Sequence, residues 1–227
     1  ISSNPCSELV LSALDSCRLL LINLSKFVIR PFENSAEFDY DRFSKVCRIG
    51  QRLMDDLVDL EIEAIDRIIA KVESDPEPKS VKQVELDLWN RIRKTAENGR
   101  RTGLGLTALG DAIAMCGIRY GSEESVSLTE SIYKVLAINA HAESVVMAEE
   151  RGAFPACSTT MYQWELSQNH PFVSKLFKAS TPEINSKFLS TGRRNLALTT
   201  TAPAGSMSIM TQTTSGCEPA FKLSYTR

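Results

Sequence analysis

The chain has 227 residues, 43% of them hydrophobic and 24% charged, with a formal net charge of -2. That is the profile of a globular domain with a core of its own. The near-neutral balance excludes a basic nucleic-acid surface, and no apolar run approaches the roughly 20 residues of a membrane span.

Six cysteines stand at 6, 17, 47, 116, 157 and 217, with only His141 and His170 beside them and no CxxC pair. That pattern argues against a structural zinc site and against a disulfide scaffold. The expected compartment is a reducing cytoplasm, where a cysteine matters for its reactivity. The opening is polar and does not read as a secretory leader. The chain does not start with Met and reads as a piece of a longer polypeptide or of a split protein.

The first eight residues carry Asn4, Cys6 and Glu8 at alternate positions, and Cys17 follows eleven residues after Cys6. In an extended segment alternate side chains share a face, so a hydrogen-bonding amide, a thiol and a carboxylate would converge on one small ligand. Residues 1–15 read as a loop or short extended piece. Leu19–Leu24 is an apolar run that fits a buried strand of an α/β sheet, with Cys17 at its entrance. Asp41 to about Val72 is helical by the return of Phe43, Val46, Cys47, Leu53, Leu57, Ile65, Ile68 and Ile69. The interleaved Asp55, Asp56, Asp59, Glu61 and Glu63 read as a solvated face rather than a metal site. Asp75-Pro76-Glu77-Pro78 ends that helix. A second helix is expected from Ser80 to Asn98, with Gly99 as its left-handed terminator.

Gly99-Arg100-Arg101-Thr102-Gly103-Leu104-Gly105 is superficially a nucleotide loop, but a helix precedes it and the dinucleotide spacing is absent. The small residues from Gly103 to Gly117 are expected to allow close helix packing. Ser122-Glu123-Glu124 is a capped helix start, and that helix runs to Arg151 before Gly152, with His141 as a core histidine. Residues 152–192 are interrupted by Pro155, Pro171 and Pro182, and no chemistry is placed there. Leu196–Thr201 is β-rich and leads into Ala202-Pro203-Ala204-Gly205-Ser206-Met207-Ser208. A strand, a small-residue turn and a helix start form an anion site, in which free amides, the helix dipole and the Ser206 and Ser208 hydroxyls meet a phosphate. Cys47 and Cys116 fall on helix faces and Cys157 and Cys217 in loops, all four with structural roles.

Taken in order, Asn4-Pro5-Cys6-Ser7-Glu8, Cys17 before Ile22-Asn23-Leu24, Gly99–Gly105, Ala202–Ser206 and Thr213-Thr214-Ser215-Gly216-Cys217-Glu218-Pro219 resemble the catalytic large subunit of ribonucleotide reductase. The resemblance spans essentially the whole chain. It implies an α/β fold, part of a ten-stranded α/β barrel with substantial helical content. Residues 1–29 would form the active-site loop and the following strand, 41–152 a helical segment, and 193–227 a strand and the substrate-phosphate turn. It implies an oxidoreductase of the ribonucleoside-diphosphate reductase type, supplying deoxyribonucleotides, although a turn that meets one phosphate group does not set diphosphate against triphosphate.

By the same resemblance Cys6 carries a transient thiyl radical, Glu8 is the general base, Asn4 orients the substrate hydroxyls and Cys17 is one of two reducing thiols. Pro203, Ala204, Gly205, Ser206 and Met207 form the phosphate turn. The Asn-Pro-Cys form, Asp15-Ser16-Cys17 and Gln51–Leu57 are similar to the adenosylcobalamin-dependent branch. Implied partners are a ribonucleotide, a thioredoxin-like external dithiol and the part of the enzyme that supplies the second thiol, so the chain alone is expected to be inactive. Two alternatives stand beside this reading: a reductase that depends on a small subunit, and a noncatalytic phosphate-binding fragment.

Overall fold

The computed structural model describes residues 2–156, 160–222 and 224. Three parallel segments form its centre. Strand β3 (Leu20–Asn23) pairs with β6 (Leu104–Thr107), register Leu20↔Leu104 through Asn23↔Thr107. On the other side of β6, Leu104 bridges to Thr199. Leu104 N donates to Leu198 O at 2.8 Å and Thr200 N to Leu104 O at 3.0 Å, a parallel pattern. Parallel neighbours need long crossovers, and helices supply them. Between β3 and β6 run α1 (Tyr40–Ser74) and α2 (Lys79–Gly99). Between β6 and Thr199 run α3 (Leu109–Met115), α4 (Glu123–Arg151), α5 (Thr160–Asn169), α6 (Pro171–Ala179) and α7 (Pro182–Thr191). Two-residue antiparallel pairs, β1 (Ser2–Ser3) with β2 (Val10–Leu11) and β4 (Val28–Ile29) with β5 (Glu37–Phe38), close the first loop and the turn before α1. The short helix α8 (Ser206–Thr211) follows the last segment. This is an open α/β arrangement, rich in helix, as expected of part of an α/β barrel; the described residues do not close one.

The core lies between the parallel segments and their helices. Phe43 of α1 meets Phe27 and Phe38 edge-on at ring distances of 5.3 and 5.4 Å. Around them Leu24, Leu104, Leu106, Ile113, Ile132 and Leu136 are buried. α1 packs lengthwise on α4 and α2. His141 is wholly buried against Phe188, its ring 5.2 Å away, at the edge of a second cluster of Val145, Val173 and Ile184. The described helices include none long and apolar enough to cross a membrane.

Several expectations hold closely. The first two helices extend one or two residues beyond 41–72 and 80–98, and α4 starts on the Ser122 cap, whose side chain accepts from Ser125 N, and stops before Gly152. Others change. The left-handed residue after α2 is Arg100 (φ 43°), not Gly99. Its guanidinium is offered Asp55 Oδ1 at 2.8 Å and Asp59 Oδ1 at 2.7 Å in return for the strained backbone.

Leu104–Thr107 is strand rather than helix contact. A Cβ on Gly103 would lie 2.8 Å from the Arg18 carbonyl oxygen, so the small residue serves strand-to-strand approach. Residues 152–192 hold helices, because Pro171 and Pro182 occupy first-turn positions behind the caps His170 and Thr181 instead of breaking a pattern. The 196–201 run lies beside β6 as foreseen, though with a single ladder bridge. Cys116 is the residue that caps α3, Cys47 is buried on α1, and Cys157 lies outside the described residues.

The carboxylates of α1 are not all solvated. Asp55 is fully buried and meets Arg100, Arg151 and Arg194, while Asn195 Nδ2 donates to it at 2.8 Å. Gln51, one turn earlier, donates to Thr102 Oγ1 and Asn195 Oδ1. Thr102 Oγ1 in turn donates to Ala197 O at 2.7 Å. This buried polar network ties α1 to both chain segments that flank the end of α2.

Candidate active site

The segment from Asn4 to Glu8 is a loop, not an extended strand. Pro5 brings no amide hydrogen, Ser7 is left-handed (φ 64°), and Ser7 N donates to Asn4 O at 2.9 Å. Alternation therefore does not gather the side chains; the loop does. Asn4 is buried and pinned twice to Leu9, donating N–H to Leu9 O at 3.1 Å and accepting Leu9 N on Oδ1 at 3.0 Å. Its free Nδ2 donates to Cys17 Sγ at 3.6 Å, and Cys17 Sγ donates to Glu8 Oε1 at 3.6 Å. Three of the four expected catalytic residues thus form a chain of contacts. Cys6 is exposed on the same loop.

The protonation states are complementary. Desolvation pushes the Glu8 carboxyl upward, but the Asn4 amide, its own backbone and the Cys17 thiol outweigh that and hold it below its ordinary value. Desolvation, the Glu8 charge and the hydrogen bond to Glu8 push the Cys17 thiol up. A carboxylate that stays ionised accepts a proton, and a thiol that stays protonated donates hydrogen. Glu8 Oε2 is buried without a hydrogen-bond partner among the described residues, a spare acceptor beside a cavity of about 360 Å³ lined by Glu8, Tyr133, Thr199, Thr200 and Thr201.

Cys17 is held from the Gly99–Gly105 block. Arg101 Nε donates to Asp15 Oδ2 at 2.6 Å, Arg18 Nη1 to Arg101 O at 3.1 Å, and Leu20 N to Gly103 O at 3.2 Å. Arg18 also pairs with Glu61 of α1. The block that imitates a nucleotide loop is a clamp on the chain around Cys17.

Four residues beyond Thr201, Gly205 (φ 48°) turns the chain into α8. Pro203, Gly205, Ser206 and Met207 are exposed and Ala204 is buried. The turn offers fewer donors than expected. Ser215 Oγ accepts the Ala204 amide at 3.2 Å, and Ser208 Oγ is turned inward onto Gly205 O at 2.7 Å. Among the described residues, the amides of Gly205 and Ser206 carry no hydrogen bond, and the Ser206 hydroxyl faces solvent.

A family model described as "Ribonucleotide reductase, barrel domain" matches residues 1–227. The chain belongs to that family. Among curated ribonucleotide reductases, it is 30% identical over its whole length to the "Vitamin B12-dependent ribonucleoside-diphosphate reductase" of Mycobacterium tuberculosis (strain CDC 1551 / Oshkosh), covering 25% of that protein. It is 27% identical to the protein of that name from Thermoplasma acidophilum, covering 23% of it. With the "Ribonucleoside-diphosphate reductase subunit alpha" of Chlamydia pneumoniae it shares 22% identity, across 97% of this chain and 20% of that one. The chain thus spans about a quarter or less of the length of these relatives.

Within this ribonucleotide reductase barrel segment, sequence reasoning missed several contributors. Thr200 Oγ1 donates to the Glu8 carbonyl at 3.2 Å. Asp111 accepts Thr214 N at 2.7 Å, fixing the strip that carries Ser215 beneath the turn. Their signal lay in the motifs already noticed, Thr199–Thr201 and Thr213–Pro219, but the pairing between them depends on tertiary contacts.

Proposed function

We propose that this chain forms part of the active site of an adenosylcobalamin-dependent ribonucleoside-diphosphate reductase, replacing the ribose 2′-hydroxyl with hydrogen. One observation carries the reading: Glu8, Cys17 and the Asn4 amide are joined by contacts beside a cavity lined by Glu8, Thr199, Thr200 and Thr201, and those threonines lead directly along the chain into the turn at 202–207. The exposed Cys6 carries the thiyl radical and takes the 3′-hydrogen, becoming a thiol. Glu8 accepts the 3′-hydroxyl proton while one thiol of the reducing pair, Cys17 and a second thiol supplied outside this chain, protonates the 2′-hydroxyl, which leaves as water. The pair then gives a hydrogen atom to C2′ and an electron to the 3′-ketone and closes a disulfide, Glu8 returns its proton to the 3′-oxygen, and Cys6 returns its hydrogen to C3′, which restores the thiyl radical. An external dithiol such as thioredoxin restores the pair. Asn4 holds Cys17 and the substrate hydroxyls in register, and Pro203–Met207 meet the phosphates with the amides of Gly205 and Ser206.

The names of the vitamin B12-dependent relatives support adenosylcobalamin as the radical source, which when bound supplies the radical by homolysis of its cobalt–carbon bond. The cavity beside Glu8 is lined by Glu8, Tyr133, Thr199, Thr200 and Thr201, with no imidazole or thiol among them to meet cobalt, so this lining does not fit the cofactor. The steps above use the chain's own side chains and the one thiol supplied from outside it.

The test uses the full-length enzyme. Cys6→Ser abolishes turnover while nucleotide binding remains, and Ser206→Ala mainly weakens substrate binding. Stimulation by adenosylcobalamin without a metal-bearing partner protein assigns the radical source. Indifference to both substitutions would remove the assignment.

A further inference from the structure

The cavity beside Glu8 has one wall that none of the assigned roles uses. Tyr133 of α4 lines it together with Thr199, Thr200 and Thr201, and the Tyr133 hydroxyl lies 3.2 Å from Thr201 Oγ1. Thr201 is exposed and immediately precedes the phosphate turn, while Thr200 is bonded to the Glu8 carbonyl. The Tyr133–Thr201 pair therefore shares a cavity with Glu8, and Thr201 leads directly along the chain into the turn at 202–207.

The placement of Tyr133 is fixed by packing rather than by its hydroxyl. Its ring rests half-buried on the main core, Ile132 beside it and Leu136 one turn on are buried, and α4 lies along α1. A buried tyrosine hydroxyl usually finds a hydrogen-bond partner. This one meets an exposed threonine that lines the same cavity as Glu8. The single bond between the two hydroxyls leaves each with unused capacity, since a phenol and a threonine hydroxyl both donate once and accept as well. Desolvation also pushes the phenol up, so it stays neutral and available as a donor at ordinary pH.

We infer that the Tyr133 phenol, paired with Thr201, is a substrate-contacting hydrogen-bond group that binds the 5′ side of the ribonucleotide, between the sugar hydroxyls at Glu8 and the phosphates at Gly205–Ser206. This rests on the reading of Glu8 and the turn given above. It assigns α4 a direct part in substrate binding, and makes the distance between acid–base group and phosphate turn a property of three elements rather than two.

The experiment compares Tyr133→Phe, Thr201→Val and the double variant in the full-length enzyme, with Cys6→Ser as control. KM and kcat are measured for a ribonucleoside diphosphate, and melting temperature for each variant. Tyr133→Phe keeps the ring and its packing. It raises KM by roughly fivefold to tenfold, the loss of one neutral hydrogen bond, with kcat within about twofold. Thr201→Val does the same, and the double variant is less than additive, as for two members of one contact. An unchanged KM in both single variants, with Cys6→Ser inactive, overturns the inference and leaves the active-site reading standing. A fall in kcat matched by a fall in melting temperature shows a packing role and also overturns it. Full turnover by Cys6→Ser removes the active-site reading itself, and the Tyr133 assignment with it.

Discussion

Cys17 and Glu8 show how two side chains in contact are pushed in opposite directions. The Asn4 amide is the main group that holds the Glu8 carboxyl down, burial is the main cause that raises the Cys17 thiol, and the hydrogen bond between the two adds to both shifts. Glu8→Gln removes the proton acceptor and the negative charge together, so it should lower kcat by a hundredfold or more and let the Cys17 thiol ionise at lower pH; the rate of thiol alkylation against pH checks the second effect. Asp55 is a fully buried carboxylate, and burial pushes it up, but Arg100, Arg194 and Asn195 outweigh this and hold it below its ordinary value. Asp55→Ala leaves the buried Arg100 guanidinium without its main partner and should cost about 3–5 kcal/mol of stability, measurable by urea unfolding. His141 has the reverse character. Burial, with the charge of Arg193 behind it, lowers its pKa to about 3, so the folded chain keeps it neutral. Below the ordinary value near 6.5 the unfolded chain takes up a proton that the folded chain refuses, and stability falls by up to about 1.4 kcal/mol per pH unit until pH approaches 3. His141→Leu should flatten the decline between pH 6 and 4 relative to the parent; equal slopes would show that His141 is not the group responsible.

At the scale of elements, the clearest dependency is between the phosphate turn and the strip that follows α8. Ser215 holds the Ala204 amide, and Asp111 of α3 holds Thr214 beside it. Ser215→Ala should raise KM severalfold for a phosphorylated substrate, the scale of one hydrogen bond, with little change in the affinity of the free nucleoside. Gly103→Ala forces a Cβ to within 2.8 Å of the Arg18 carbonyl and should destabilise the β3–β6 pair by about 1–3 kcal/mol as an overpacking change. These couplings also mark where the sequence ceased to be readable. Long periodic helices such as α1 and α4 were legible to within two residues because their apolar spacing and caps are local. The reactive residues were legible as motifs. For residues 4–8 the loop reading holds and the extended one does not, since alternation is a necessary sign of a strand and not a sufficient one. The helices after residue 152 were hidden because proline reads as a breaker until its position in the first turn is known. Asp55 looked solvated because its three arginine partners come from remote parts of the chain, and Tyr133 had no motif at all.

For the molecule as a whole, the open sheet and the composition of the site agree. β6 lies between β3 and the segment at Thr199, so the residues around Cys17 come from the first thirty residues, the end of α2 and the stretch before α8. The outer faces of α1 and α2 keep Leu53, Leu57, Leu60, Val84 and Leu88 exposed. With the second thiol supplied outside this chain, the isolated 227 residues should show no dithiol-driven nucleotide reduction, and turnover by them alone would contradict the proposed chemistry. The parallel pairing of β3 with β6 carries one more consequence, in time rather than in space. Leu20 and Leu104 meet only after the whole α1–α2 crossover has been laid down, and closing so long a loop is the slow part of forming a parallel sheet. During refolding Cys17 therefore passes through a window in which it is an ordinary, reactive thiol before the Arg101 clamp and Glu8 enclose it. Pulse alkylation during refolding would read that window directly, with protection of Cys17 arriving together with the docking of β6 and after the helices have formed.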